Sequence, residues 1–424
     1  MVNYRKRVAD SILAEKLSYM GAVLIRGAKW CGKTTTAEQL AKSVLYLSEP
    51  SSLENNLELA RLRPRLLLEG AKPRLIDEWQ EAPTLWDAVR FEVDHEKEMG
   101  QFILTGSAVP KNLGEIHHTG TGRIAHVTMR TMTLWESGES TGSVSLAELF
   151  GGVDVTGAKG ELHLEDLARL VCRGGWPQAI DLKGRAQFGP AREYVEAICA
   201  EDLSRVDGVV RSAARVRALL RSLARVQGTQ ASAATICEDI RANEPDTLNA
   251  NTVYSYLDSL ERIFVCENLP AWSPKLRSKT PIRSGVTRYF TDPSIAAAAL
   301  RLGPNDLMGD LPTFGFFFEA LAIRDLRTYA EALDGELFHY LDKGGLECDA
   351  VMHLHNGEYA LVEVKLGGAA LIEKGAANLR ELAEKIDSKR MKAPRFLMVL
   401  VGEGDFAYRR EDGVVVCPIG CLRP

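Results

Sequence analysis

The chain lacks an apolar run close to the roughly 20 residues that a membrane span needs, so a spanning protein is not expected. It also lacks an excess of positive charge. Its formal net charge is −5 at pH 7, so any nucleic-acid contact must come from a local patch. Cysteines at metal spacing are missing too. The eight cysteines are scattered, and only Cys417 and Cys421 are close, which argues against a zinc site. The basic opening, MVNYRKRVADSILAEKL, has no apolar core and continues as an amphipathic helix, so it does not read as a secretory signal. A cytoplasmic location is expected, since a reducing compartment suits scattered thiols.

What is present starts at residues 22–36, AVLIRGAKWCGKTTT. A short apolar run breaks into Gly27-x4-Gly32-Lys33-Thr34 and then into helix-compatible residues. Two glycines let the backbone curl until successive N–H groups point at phosphate oxygens. Lys33 reaches the β- and γ-phosphates, and the Thr34 hydroxyl can ligate Mg²⁺. The expected phosphate-contact set is Gly27, Ala28, Gly32, Lys33, Thr34 and Thr35, with a strand at 22–26 before it and a helix over 34–43 after it. ATP and Mg²⁺ are the expected ligands.

Two further strand ends suit the same site. Residues 73–78, PRLIDE, place Asp77 to hold Mg²⁺ through water and Glu78 to polarise an attacking water. This strand is expected beside the P-loop strand. Residues 102–107, FILTGS, bring Thr105 or Ser107 to the γ-phosphate or the water. Strands are also expected at 44–48 and 123–129, with a helix at 84–97, which together make a parallel α/β sheet.

Beyond it, Glu136–Lys159 is rich in Gly, Ser and Thr and reads as a linker. A helical stretch follows, in which Arg211, Arg215, Arg217, Arg221 and Arg225 cluster on one side, either as a solvated face or as a contact for nucleic acid or nucleotide. Residues 231–270 have the outline of a winged helix, two helices around a turn at Glu244-Pro245-Asp246 and then a strand. The second helix is polar but not basic. The final third predicts a helix over 314–329 containing Glu319, then strands at 336–340, 347–355 and 359–366, the last two joined at Asn356-Gly357. Alternation puts Glu363 and Lys365 on one face, with Asp349 on the partner strand. Two carboxylates and a lysine in this order can hold a divalent ion against a phosphodiester, or simply form a charged hairpin face.

The chain resembles bacterial and archaeal AAA-type ATP-binding proteins with a C-terminal domain of unknown function. The likeness runs over nearly its whole length. It rests on GAKWCGKTTT (27–36), LIDEWQEAPTLWDAVRFEVD (75–94), FILTGSA (102–108), the Gly122-Arg123 step, GGWPQA (174–179), AEDLSRV (200–206), RYFTDPSIAAAAL (288–300), FFFEAL (316–321) and ECDAV…VEVK (347–365). Lys29 and Thr133-Leu134-Trp135-Glu136 depart from the usual pattern. The resemblance implies Mg²⁺-ATP as ligand, Asp77 as the Walker B carboxylate and Glu78 as the catalytic glutamate. It also implies an Arg123 that senses or completes an ATP site, its own or a neighbour's in a homo-oligomer. The expected division is a P-loop ATPase at 1–135, a linker and helical region at 136–230, a winged-helix-like domain at 231–300, and at 301–424 a restriction-endonuclease-like α/β domain of PD-(D/E)xK type. That last domain carries a second metal site at Asp349 and Glu363, with Glu319 and Lys365 beside it. The expected function is an ATPase whose nucleotide state controls the nuclease-like domain. An ATP-gated DNA nuclease and an inert nucleotide-dependent scaffold are the alternatives.

Overall fold

The computed structural model describes residues 4–107, 120–155, 157–203, 211–245, 247–274, 285–387, 389 and 391–424. Ala108, Ser204–Val206 of the AEDLSRV motif and Asp246 lie outside them. The chain divides into two compact units, one of residues 1–131, 200–211 and 256–265, the other of 132–199, 212–255 and 266–424. The expected 136–230 and 231–300 segments do not stand as units of their own.

In the first unit, β1 (Ala22–Arg26), β2 (Ser43–Tyr46), β3 (Arg74–Asp77), β4 (Phe102–Gly106) and β5 (Ile124–Thr128) form a parallel sheet in the order β2-β3-β4-β1-β5. Near-continuous apolar runs such as AVLI suit a sheet buried on both faces. Val23, Ile25, Leu75 and Ile103 pack towards Leu13 and Leu17 of helix α1 (Val8–Tyr19). Leu24, Ile76 and Leu104 pack on the other side, with Leu85, Trp86 and Val89 of the helix Thr84–Glu96.

Two expectations change here. β4 stands between β1 and β3, so the Asp77 strand is not beside the P-loop strand. The helix after the loop, α2, runs only from Lys33 to Glu38, because Lys42 N already donates to Pro73 O and draws the chain into β2.

The second unit holds a six-stranded mixed sheet. β6 (Gly335–Leu341), β7 (Glu347–Leu354) and β8 (Tyr359–Lys365) are antiparallel, β9 (Leu397–Val401) and β11 (Val415–Pro418) continue in parallel from β8, and β10 (Tyr408–Arg409) pairs antiparallel with β11 at the edge. The helix Ala369–Lys385 covers one face with Ala376, Leu379 and Leu382. The helix Leu311–Ala332 packs on β6, β7 and β8. Residues 136–159 are not a free linker. Val144–Ser145 pairs in parallel with Leu422–Arg423, Ser140 Oγ donates to Leu422 O at 2.7 Å, and Leu146, Leu149 and Phe150 are buried. Small polar residues hid a two-residue strand that has no periodicity of its own. Two helices, Ala233–Asn243 and Ala250–Arg262, precede an antiparallel strand pair, Cys266–Leu269 with Thr287–Phe290, and residues 256–265 among them belong to the first unit. Among the described residues no helix is long and apolar enough to cross a membrane.

Candidate functional site

The P-loop leaves β1 at Arg26 and enters α2 at Lys33. Gly27 cannot be replaced without a clash, since a Cβ there would lie 2.0 Å from Met129 O. Gly32 has φ of 101°, a left-handed conformation that glycine alone adopts freely. Ala28 is buried within the loop, and Thr35 sits in the first turn of α2. Lys33 is buried, and its Nζ donates to Gly27 O at 3.0 Å and Ala28 O at 2.8 Å. The ammonium is therefore held inside the curl by neutral acceptors.

The interposed strand brings the other groups together. Thr34 Oγ1 donates to Asp77 Oδ1 at 2.7 Å, and Thr105 Oγ1 donates to the same oxygen at 2.6 Å. Thr105 Oγ1 also accepts from Glu78 N at 3.2 Å. Glu78 has φ of 55°, rare for a residue with a side chain, and this turns its carboxylate to Ser107 Oγ at 3.2 Å. Gln80 Nε2 donates to Glu78 Oε2 as well. Thr34, Asp77, Glu78, Thr105 and Ser107 thus converge, while Gln80 was not foreseen. The Thr34 hydroxyl and Asp77 carboxylate are hard oxygen donors side by side, a set suited to Mg²⁺.

Arg123 does not join them. It precedes β5, whose Ile124 is level with Ala22 at the start of β1. The P-loop leaves the opposite end of β1, about 16 Å away at roughly 3.3 Å per residue. The Arg123 guanidinium instead donates to Asp94 Oδ1 at 2.6 Å and holds that carboxyl below the usual range. A role at its own ATP site is therefore corrected.

Of the two readings of the arginine stripe, the structure favours the charged face. Arg217 pairs with Glu196, Arg221 with Glu244, and Arg225 with Asp239 and Glu244. Arg211 lies before the helix Ala213–Arg225 and donates to Leu203 O and Ser259 Oγ. Three of these charges are matched by carboxylates, and Arg211 rests on neutral acceptors.

In the second unit Asp349, Glu363 and Lys365 do converge. Lys365 Nζ lies 3.1 Å from Asp349 Oδ2 and 2.5 Å from Glu363 Oε2. Asp349 Oδ2 also accepts from Val364 N at 2.7 Å. Glu363 is wholly buried, and the Lys365 ammonium is its close charged partner. Burial, then the nearby Asp349, push Glu363 well above the ordinary carboxyl value. The same two causes push Glu319 up to about 8, and Tyr289 Oη donates to Glu319 Oε1 at 2.5 Å. Burial pulls the Lys365 ammonium down, but Asp349 and Glu363 outweigh it. Tyr289 was missed because it lies in the hairpin strand Thr287–Phe290, far away in sequence. Among the described residues no group of three or more His, Cys, Asp or Glu side chains is arranged to hold a metal ion. The expected second metal site is reduced to two carboxylates with an ammonium between them.

Three family models match separate segments: an AAA domain over residues 20–137, a domain of unknown function (DUF8612) over 164–306, and another (DUF4143) over 314–422. Two uncharacterized proteins, Mb2031c of Mycobacterium bovis and Rv2008c of Mycobacterium tuberculosis, are 23% identical over 97% of this chain and 83% of their own length. Among solved structures, the Walker-type ATPase PABY2304 of Pyrococcus abyssi is 15% identical, with a TM-score of 0.43 over 70% of this chain and 96% of its own. The Aeropyrum pernix ORC1 protein in complex with DNA is 15% identical, with a TM-score of 0.27 over 73% and 94%. The sheet order, the P-loop geometry and the matched model together make residues 20–137 an AAA-type P-loop ATPase domain.

Proposed function

We propose that this protein is a Mg²⁺-dependent ATPase whose nucleotide state acts on its second unit. The observation that carries the proposal is the convergence of Thr34 and Thr105 on Asp77, with Glu78 held beside them by Thr105 and Ser107. Thr34 and Asp77 would hold Mg²⁺, which supplies charge neutralisation at the β/γ-phosphates. Glu78 takes a proton from water as that oxygen bonds to the γ-phosphorus. The bond to the β-γ bridging oxygen breaks, leaving ADP and phosphate, while Lys33 offsets charge on the phosphate oxygens. Phosphate release by the purified protein, with Mg²⁺ and with a chelator, tests this. Absence of Mg²⁺-dependent release would end the proposal.

The route to the second unit is short along the chain. Residues 129 and 130 lie against the P-loop, and a few residues on, Met132 N donates to Gly175 O and Leu134 N to the buried Asp325 carboxylate. A loop that changes with nucleotide pulls on a segment anchored at its other end. Arg123, exposed at the end of the strands away from the P-loop, serves a neighbouring copy's site in this proposal. Mixing Arg123→Ala with Glu78→Gln protein should then restore part of the turnover that each lacks.

A second reading concerns the acidic pocket. The carboxylates of Asp349 and of the wholly buried Glu363, both paired with the Lys365 ammonium, support a weak divalent-cation site, reached when the cation displaces that ammonium. Cleavage of nucleic acid would require that displacement first. A reducing cytoplasm suits the eight cysteines, which are all buried and free of disulfides.

A further inference from the structure

A phosphate loop presents its N–H groups inward, and this turns carbonyls outward. Outward carbonyls in a buried wall need donors of their own. Here one such donor comes from outside the loop. Arg7, at the start of α1 and only 6% exposed, donates from one guanidinium nitrogen to Cys31 O at 2.8 Å and from the other to Arg130 O at 2.8 Å. Cys31 is the residue before Gly32. Arg130 belongs to the segment leaving β5, which already borders the loop. There Met129 O accepts from Cys31 Sγ at 3.4 Å, and Met129 N donates to Arg26 O at 2.8 Å.

The same N-terminal segment reaches the far end of the loop. Arg7 N donates to Asp10 Oδ2 at 2.9 Å, and Tyr4 Oη donates to Asp10 Oδ1 at 2.5 Å. Tyr4 Oη is also 2.9 Å from Thr36 Oγ1, on the helix that follows Lys33. Residues 4–10 therefore touch the nucleotide loop on both sides of Gly32. A guanidinium suits this place because its planar fork spans two carbonyls.

We propose that Arg7 is a positioning residue of the nucleotide site. By bridging the Cys31 and Arg130 carbonyls it fixes the loop backbone so that its N–H groups face the phosphates, with Tyr4 bracing Thr36. The inference rests on the ATPase reading. Replacing Arg7 leaves Glu78 and its partners in place, so binding should suffer more than chemistry.

The test uses full-length protein, a fluorescent ATP analogue and a phosphate-release assay, on wild type, Arg7→Ala, Arg7→Lys and Lys33→Ala. Arg7→Ala should raise the Kd and KM for ATP by about tenfold or more, since two hydrogen bonds from a charged donor are lost, with kcat changed less. Added millimolar guanidinium should recover part of the affinity, which a general loss of packing would not allow. Arg7→Lys should fall in between, because one ammonium does not span both carbonyls in the same way. A folded Arg7→Ala with wild-type KM overturns the inference, as does a lowered melting temperature with KM unchanged. Should Arg7→Ala not fold, wild-type KM in Arg7→Lys overturns it instead. Wild type that binds no nucleotide removes the ATPase reading and this one with it. Binding lost in Lys33→Ala but retained in Arg7→Ala overturns this inference alone.

Discussion

The P-loop site and the acidic pocket of the second unit each combine two acidic residues with a lysine, yet they treat the charges differently. At the P-loop, Lys33 rests on two carbonyls, and Asp77 and Glu78 rest on hydroxyl and amide donors. The charges are held by neutral partners and stay available to a charged ligand. In the pocket, Lys365 is paired directly with Asp349 and Glu363, and Glu363 is wholly buried. There the protein supplies its own cation. Similar residue types therefore make a site open to exchange in one unit and a self-compensated one in the other.

The sharpest break between them is expected at Glu78. Glu78→Gln removes the proposed base without removing phosphate contacts, so turnover should fall by about 10²–10⁴-fold while ATP affinity is kept. Wild-type turnover in this variant would put the base elsewhere. Next in size is Lys365→Met, which leaves a buried carboxylate pair without its counter-charge. Losing one partner of a buried ion pair costs about 3–5 kcal/mol. Melting curves should show the second unit weakened, and millimolar Mn²⁺ should restore part of the loss by taking the place of the ammonium. If Mn²⁺ gives no recovery, the pocket is not a cation site.

Lys33→Ala should have a smaller effect on stability and a clear one on ligand. It removes hydrogen bonds from a charged donor to phosphate, worth about 1.5–3 kcal/mol, so isothermal titration should show ATP binding weakened at least tenfold. Unchanged affinity would mean that the loop binds phosphate without its lysine.

The smallest effect concerns pH, and it separates burial from function. Asp325, outside both sites, is pushed up to about 6 by burial, against the pull of Arg324 and Leu134 N. The unfolded chain loses this proton near the ordinary value of 3.8 while the folded chain keeps it to about 6. The folded state then binds more protons in that window, so this contribution to stability is full at low pH and is lost as pH rises from about 4 to about 6. Asp325→Asn should flatten that slope in melting temperature against pH, with catalysis at neutral pH little changed. An unaltered slope would show that Asp325 is not the titrating group.

Much of the nucleotide site could be read before any coordinates, because its parts are local. The glycine spacing dictates the loop, an apolar run followed by Asp77-Glu78 dictates a strand end, and Asn356-Gly357 dictates the hairpin that brings Asp349 opposite Glu363. Boundaries near these signals hold to within a few residues, as in β1, β3 and β8. Signals without local periodicity misled. The Gly, Ser and Thr composition of 136–159 concealed a strand that exists only because Leu422–Arg423 is there to pair with it. The arginines on the helix Ala213–Arg225 left two readings open because their partners Glu196, Asp239 and Glu244 are distant in sequence or turned towards them only by packing.

The sequence by itself determined the chemistry: which residues can cradle phosphate, hold a hard cation or activate water, since those depend on residue type at short spacing. Tertiary structure alone decided which groups meet. It placed β4 between β1 and β3, so Thr105 shares Asp77 with Thr34, and it left Arg123 at the opposite end of the strands. It also seated Arg7 on the loop and closed Tyr289 onto Glu319. Hydrogen bonds and ion pairs act over a few ångströms, and the distances between residues far apart in the chain are set by how the sheets and helices bury their apolar faces.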